Sequence, residues 1–247
     1  MSMTTTRLGP LTCRIVSWDS GARATLACVL CHGYGAPGTD LVGLAEELVA
    51  RAPSLRGAVR FVFPEAPLAL DHVPFGGRAW WEIDLDRLAR MQRETDRAAW
   101  FDNIPEGLPT ARKALMAALD ALCLQEGLPW GALVLGGFSQ GAMLATDVAL
   151  RLDEAPAALA ILSGTLICRA EWQRLAPRRR GLPTLIAHGS HDPLLPLAAA
   201  EALRDLLAGA GLDVGFTRFA GGHGIDGNVL HALAQVLGDA LATRTAR

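Results

Sequence analysis

Lysine is almost missing from this 247-residue chain: Lys113 is the sole lysine among 23 basic side chains. It precedes Ala114 and follows no glycine-rich loop, so a phosphate-cradling P-loop is excluded. Charge of one sign is missing too. With 25 acidic side chains the formal net charge is −2, and no nucleic-acid partner or anionic lipid surface is expected. The run Arg178–Arg180 is too short to give a phosphate footprint. Long hydrophobic stretches are absent. Leu26–Cys31 and Ala157–Leu162 fall far short of a bilayer span, and Met1–Pro10 lacks the apolar core of a signal peptide, so no membrane span is expected. Cysteine is sparse and odd in number: Cys13, Cys28, Cys31, Cys123 and Cys168 make no disulfide framework, which fits a reducing, cytoplasmic location. Cys28 and Cys31 form a C-x-x-C pair. On a strand, residues three apart face opposite ways, and no second pair exists to complete a zinc site.

Apolar residues make up 51% of the chain and charged residues 19%, enough to bury a sizeable core. Strand-like runs recur at Cys13–Trp18, Leu26–Cys31, Val59–Pro64, Ala132–Gly136, Ala158–Ser163, Thr184–His188 and Val214–Phe219. Helical patterns lie between them. One begins after Thr39, a candidate N-cap, and carries Leu41, Leu44, Ala45 and Leu48 at i, i+3, i+4, i+7 spacing. Another runs through Leu108, Ala111, Leu115, Leu119 and Leu122 toward Gly127. Further helices are read over Gln140–Leu152, Ala198–Ala208 and Ile225–Ala242. The alternation predicts βαβ crossovers: an α/β fold with a mostly parallel central sheet, helices on both faces, and one domain over residues 11–247. Residues 1–10 are expected to be a flexible N-terminus. Between Pro64 and Gly107 the rhythm breaks into Pro-punctuated loops and an Arg/Asp-rich amphipathic segment, Asp84–Trp100. A connection of that length is either a solvated surface helix or a cover, so residues 84–107 form a candidate partial lid.

The most informative window is Gly137-Phe138-Ser139-Gln140-Gly141, a G-x-S-x-G sequence between an apolar strand and a helical pattern. A serine on such a tight strand-to-helix turn sits in a strained backbone, and bulky residues two positions either side would clash. The helix N-terminus then points at the hydroxyl and favours developing negative charge. A serine hydroxyl also needs a base. Of six histidines, His72 and His231 do not follow strand ends, where functional groups gather in open α/β sheets. His223 sits in Gly221-Gly222-His223-Gly224, just after the last strand. The acid candidate is Asp192, directly after Thr184–His188. The order Ser139, Asp192, His223 is that of a serine hydrolase on an α/β sheet. His191 is the rival base, disfavoured because it neighbours Asp192 on one turn. A metal reading of His188, His191 and Asp192 gives way to the triad. Cys31-His32-Gly33-Tyr34-Gly35 follows another strand. The backbone N–H groups of Tyr34 and Gln140 are candidate oxyanion donors, for which side-chain identity matters less than backbone placement, and His32 is a loop brace.

Leu30–Gly35, Phe63–Pro67, Ala79–Ile83, Gly136–Gly141, Leu162–Gly164, Ala187–Pro193 and Gly221–Gly224 together resemble the phospholipase/carboxylesterase-type serine esterases of the α/β-hydrolase fold. That group contains bacterial carboxylesterases and acyl-protein thioesterases. The resemblance spans nearly the whole chain. It implies a carboxylesterase acting through an acyl-enzyme, with nucleophile, acid and base at Ser139, Asp192 and His223 and oxyanion donors at Tyr34 and Gln140. Trp80 resembles a groove-wall tryptophan, and Leu194 is a second groove candidate. The implied partner is a small-molecule acyl ester or thioester, with no cofactor or metal, for a monomer or homodimer. Acyl-protein thioesterase and lysophospholipase activities use the same triad and stay open. A catalytically silent hydrolase-fold binding protein is the alternative of another class. Its signature is a missing triad member, and none is missing.

Overall fold

The computed structural model describes residues 1–18, 23–73, 75–83 and 101–245. In chain order the strands are β1 (Ser2–Leu8), β2 (Leu11–Ser17), β3 (Leu26–Cys31), β4 (Val59–Pro64), β5 (Leu68–Ala69), β6 (Arg78–Ala79), β7 (Leu133–Phe138), β8 (Ala158–Leu162), β9 (Pro183–Gly189) and β10 (Asp213–Phe219). The described helices are α1 (Leu44–Arg51), α2 (Leu108–Glu126), α3 (Gln140–Arg151), α4 (Arg169–Leu175), α5 (Leu197–Gly209) and α6 (Gly227–Thr245). Eight strands form one sheet in the order β1-β2-β4-β3-β7-β8-β9-β10. β1 with β2 and β2 with β4 are antiparallel, and every other neighbouring pair in that sheet is parallel.

Alternation along β3 shows why this sheet reads as continuous apolar runs. Ala27, Val29 and Cys31 face one core, and Leu26, Cys28 and Leu30 face the other. A strand covered on both faces has no polar side. Residues of α2, α3, α4 and α5 fill the first core, and residues of α1 and α6 the second. Cys28 and Cys31 therefore lie on opposite sides of the sheet, and burial pushes the Cys28 thiol up to about 12. All five cysteines are free and buried. α2 ends where expected: Gly127 takes φ +62°, and its N–H donates to the Cys123 carbonyl.

Several boundaries differ from the sequence reading. Residues 2–8, expected within a flexible start, form β1, paired in unbroken register from Ser2↔Ser17 to Leu8↔Leu11. The strand's outer residues Thr4 and Thr5 are exposed, so no apolar alternation announced it. The helix expected after Thr39 begins at Leu44, because residues 39–45 first turn through i→i−3 bonds such as Val42 N–H to the Thr39 carbonyl. β5 and β6 form a small antiparallel ribbon inside the Pro64–Gly107 break. The short α4 was not anticipated. Asp84–Trp100, which carries most of the candidate lid, lies outside the described residues.

Candidate active site

β7 delivers Ser139 at the carboxyl edge of the sheet and α3 carries the chain away. Ser139 takes φ 54° and ψ −117°, a strained conformation for a residue with a Cβ. Its N–H is fixed to the Leu162 carbonyl at 2.9 Å. The flanking glycines are required by space. A Cβ on Gly141 would stand 2.1 Å from the Cys31 carbonyl oxygen, and one on Gly137 would stand 2.6 Å from the same atom. The turn is thus pressed onto the end of β3. The Ser139 hydroxyl makes no hydrogen bond among the described residues and opens onto a cleft of about 890 Å³, also lined by Tyr34, Gln140, Leu194 and His223.

The loops after β9 and β10 bring Asp192 and His223 together. His223 Nδ1 lies 2.7 Å from Asp192 Oδ2, and Asp192 Oδ1 accepts the Leu194 and Leu195 N–H groups at 2.8 and 2.9 Å. The Asp192 side chain is fully buried and that of His223 is 13% exposed. Burial alone raises the Asp192 carboxyl, but the His223 hydrogen bond and the two amides outweigh it and hold the group below its ordinary value. Asp192 is therefore ionised at neutral pH and accepts Nδ1–H, which leaves Nε2 as the other nitrogen of the His223 ring. The imidazole leans on Phe138, the residue before Ser139, with ring centroids 4.8 Å apart. The two loops are zipped by the His191 N–H to Gly221 carbonyl bond at 2.9 Å. They approach so closely that a Cβ on Gly189 would lie 2.1 Å from the Gly222 oxygen.

The other histidines separate as their surroundings dictate. The His191 side chain is exposed and, among the described residues, hydrogen-bonds only the neighbouring Ser190 hydroxyl, at 3.3 Å. His32 is buried; its Nε2 accepts the Ala66 N–H at 3.0 Å and its Nδ1 lies 2.8 Å from the Gly33 carbonyl, a brace for the loop. Burial lowers its pKa, so the ring is neutral. His188 is fully buried, with Nε2 at 2.7 Å from the Leu195 carbonyl and 3.4 Å from Asp192 Oδ2. Nε2 must carry a proton to satisfy that carbonyl, so His188 steadies the Asp192 loop. Among the described residues no group of three His, Cys, Asp or Glu side chains is arranged to hold a metal ion.

Neither the Tyr34 nor the Gln140 backbone N–H is hydrogen-bonded among the described residues. The loop is clipped to β6, with Gly35 N–H on the Arg78 carbonyl at 2.8 Å and Arg78 N–H on the Ala36 carbonyl at 3.1 Å. Burial and the Glu82 carboxylate raise the Tyr34 phenol, which stays neutral. Two expectations are corrected. The Gln140 side chain is not incidental: it is buried, its Oε1 accepts the Trp80 N–H at 2.9 Å, and its Nε2 donates to the Trp81 carbonyl at 2.8 Å. Trp80 does not line the groove. It is 1% exposed, and its indole N–H is spent on the His32 carbonyl at 2.9 Å, beneath the loop. Its neighbour Trp81 lines the cleft instead, with Ile104, Met143 and Ile167. Adjacent tryptophans in one irregular segment could not be assigned from sequence alone. Leu194, 47% exposed, does line the cleft.

A mostly parallel eight-stranded sheet with a strained serine turn after β7 and the Asp192 and His223 loops after β9 and β10 has the architecture of the α/β-hydrolase fold. Residues 12–240 match the phospholipase/carboxylesterase family, and the chain belongs to it. It is 28% identical over 209 residues to acyl-protein thioesterase 1 of Neurospora crassa, covering 82% of this chain and 81% of that one. Among solved structures it is similar to esterase PE8, with a TM-score of 0.77 at 28% identity, over 97% of this chain and 100% of the other. The carboxylesterase from Mesorhizobium loti shares the fold, with a TM-score of 0.70 at 19% identity over 96% and 99% of the two chains.

Proposed function

We propose that the protein is a serine carboxylesterase that cleaves acyl esters through a covalent acyl-enzyme, with Ser139 as nucleophile, His223 as general base and acid, and Asp192 as its orienting carboxylate. The carrying observation is the Asp192–His223 pair at 2.7 Å in the same cleft as a serine held at φ 54°. On substrate binding the Ser139 hydroxyl gives its proton to His223 Nε2 as the oxygen attacks the carbonyl carbon, a contact that commonly tightens only in the complex. The tetrahedral oxyanion is held by the unpaired N–H groups of Tyr34 and Gln140, helped by the N-terminus of α3. His223 then returns the proton to the departing alcohol oxygen, and water repeats the sequence on the acyl-enzyme. Asp192 stabilises the imidazolium without taking its proton, in keeping with its lowered pKa. Nucleophile, acid, base and both donors come from one chain, so a monomer or a homodimer meets the requirement. Five free cysteines support a reducing, cytoplasmic setting.

The likeness to acyl-protein thioesterase 1 favours one second reading, acyl thioesters as substrates of the same site. Side-by-side hydrolysis of nitrophenyl esters and acyl thioesters of matched chain length separates the two by kcat/KM. Ester turnover that disappears in Ser139→Ala supports the proposal. Turnover that survives in that variant, or no turnover of either class by the folded protein, overturns it.

A further inference from the structure

The triad's arms come from three separate strand ends, and something must set their spacing. Resting on the serine-esterase reading, we propose that Ser163 is a positioning residue: with Leu162 it yokes the nucleophile turn and the histidine loop at the end of β8. The Leu162 carbonyl accepts the Ser139 N–H at 2.9 Å. One residue on, the Ser163 hydroxyl donates to the Gly224 carbonyl at 3.1 Å, directly after His223. The Ser163 N–H is bound to the Ala187 carbonyl on β9 at 2.8 Å, and β9 leads into the Asp192 loop. Two consecutive residues therefore touch all three arms.

Ser163 is held at a cost that packing alone does not require. Its φ is +49°, a left-handed conformation, and the residue is fully buried. Such strain persists only where surrounding contacts over-determine it. A glycine would take that φ freely, and an alanine would leave no buried hydroxyl to satisfy. The side chain present is the one that can donate across to the base's loop. Between Gly222 and Ile225, the Gly224 carbonyl is the one backbone group hydrogen-bonded among the described residues, and Ser163 is its partner. Without that bond the imidazole and its pairing with Asp192 lose their tether to the strand end that fixes Ser139.

The test compares Ser163→Ala, which deletes the hydroxyl and keeps the strain, with Ser163→Gly, which deletes the hydroxyl and relieves it. Both are expected to lower kcat on a short nitrophenyl ester about 10- to 100-fold with KM within about twofold, since misplacing a reacting group by about 1 Å costs on that order. The Ser163→Gly melting temperature is expected to stay at that of the unmodified protein or rise, so a fold that fails in Ser163→Ala leaves the glycine variant to decide. A kcat within twofold of the unmodified enzyme in Ser163→Gly overturns the proposal, as does a parallel loss of kcat, binding and thermal stability in both. If the unmodified protein hydrolyses no ester, the serine-esterase reading fails on its own. The downfield proton resonance of the His223 Nδ1–H bond to Asp192 then decides the yoke: broadening or a shift in Ser163→Gly supports it, and an unchanged signal overturns it.

Discussion

The Ser139 turn and the wall facing it border the same cleft but are set against each other by different kinds of bond. At the turn the restraints are backbone ones: the Ser139 N–H on the Leu162 carbonyl, φ 54° at the serine, and contacts so close that Gly137 and Gly141 admit no Cβ. The wall, residues 78–83 with the loop at 33–36, is knit internally and to β5 by backbone bonds, but its place against the turn depends on side chains far apart in sequence. Gln140 reaches to Trp80 and Trp81, the Trp80 indole to His32, and Glu65 pairs with both Arg14 and Arg78 at 3.0 and 2.9 Å. The contrast assigns chemistry to a part that tolerates almost no local change. It assigns substrate shape to a part that can be altered one side chain at a time.

The largest effect is expected at the turn. Gly141→Ala drives a methyl into the Cys31 carbonyl, which should cost about 3–5 kcal/mol in urea unfolding and abolish ester hydrolysis. A stable, active variant would mean that the turn is not pressed onto β3. Trp80→Ala comes next. Removing a buried indole and its bond to His32 should cost about 3–4 kcal/mol, and a variant that instead changed only acyl-chain preference would return Trp80 to the groove wall.

Those two substitutions also show what was legible in the sequence. G-x-S-x-G between a strand and a helical pattern made the strained turn at Ser139 legible, because the turn's steric demands fall on residues two positions away. That Asp192 and His223 meet was legible because each follows a strand directly. Trp80, Trp81 and the Gln140 side chain could not be sorted, since no periodicity governs an irregular segment and their partners lie some sixty positions away. β1 was missed for a related reason: an edge strand with exposed threonines has no apolar face to betray it.

Smaller effects sharpen the comparison further. Gln140→Ala keeps the backbone donor but leaves the Trp80 N–H and Trp81 carbonyl unpaired in the interior, at about 1–3 kcal/mol by chemical unfolding, with KM rising more than kcat falls. Equal losses in kcat and kcat/KM would tie that side chain to the transition state instead. Leu194→Ala, at a half-exposed position, should alter stability by less than about 0.5 kcal/mol and shift the acyl-length profile alone. Least of all is expected from acidification toward pH 5. The Asp192 pKa is depressed below its ordinary 3.8, so its contribution to stability is present above that value and is lost only as pH falls through the lower, folded-state value. Between pH 7 and 5 the Asp192 contribution to stability therefore stays in place. A melting temperature that fell over that range in the unmodified protein, but not in Asp192→Asn, would contradict this assignment.

The most direct test of Ser139, His223 and Asp192 acting as one unit is fluorophosphonate labelling followed by mass spectrometry of the intact and digested protein. A single adduct on Ser139 is expected in the unmodified enzyme, with labelling slowed about 10³-fold or more in His223→Ala and absent in Ser139→Ala. Labelling at another residue, or at an undiminished rate without the imidazole, would contradict it.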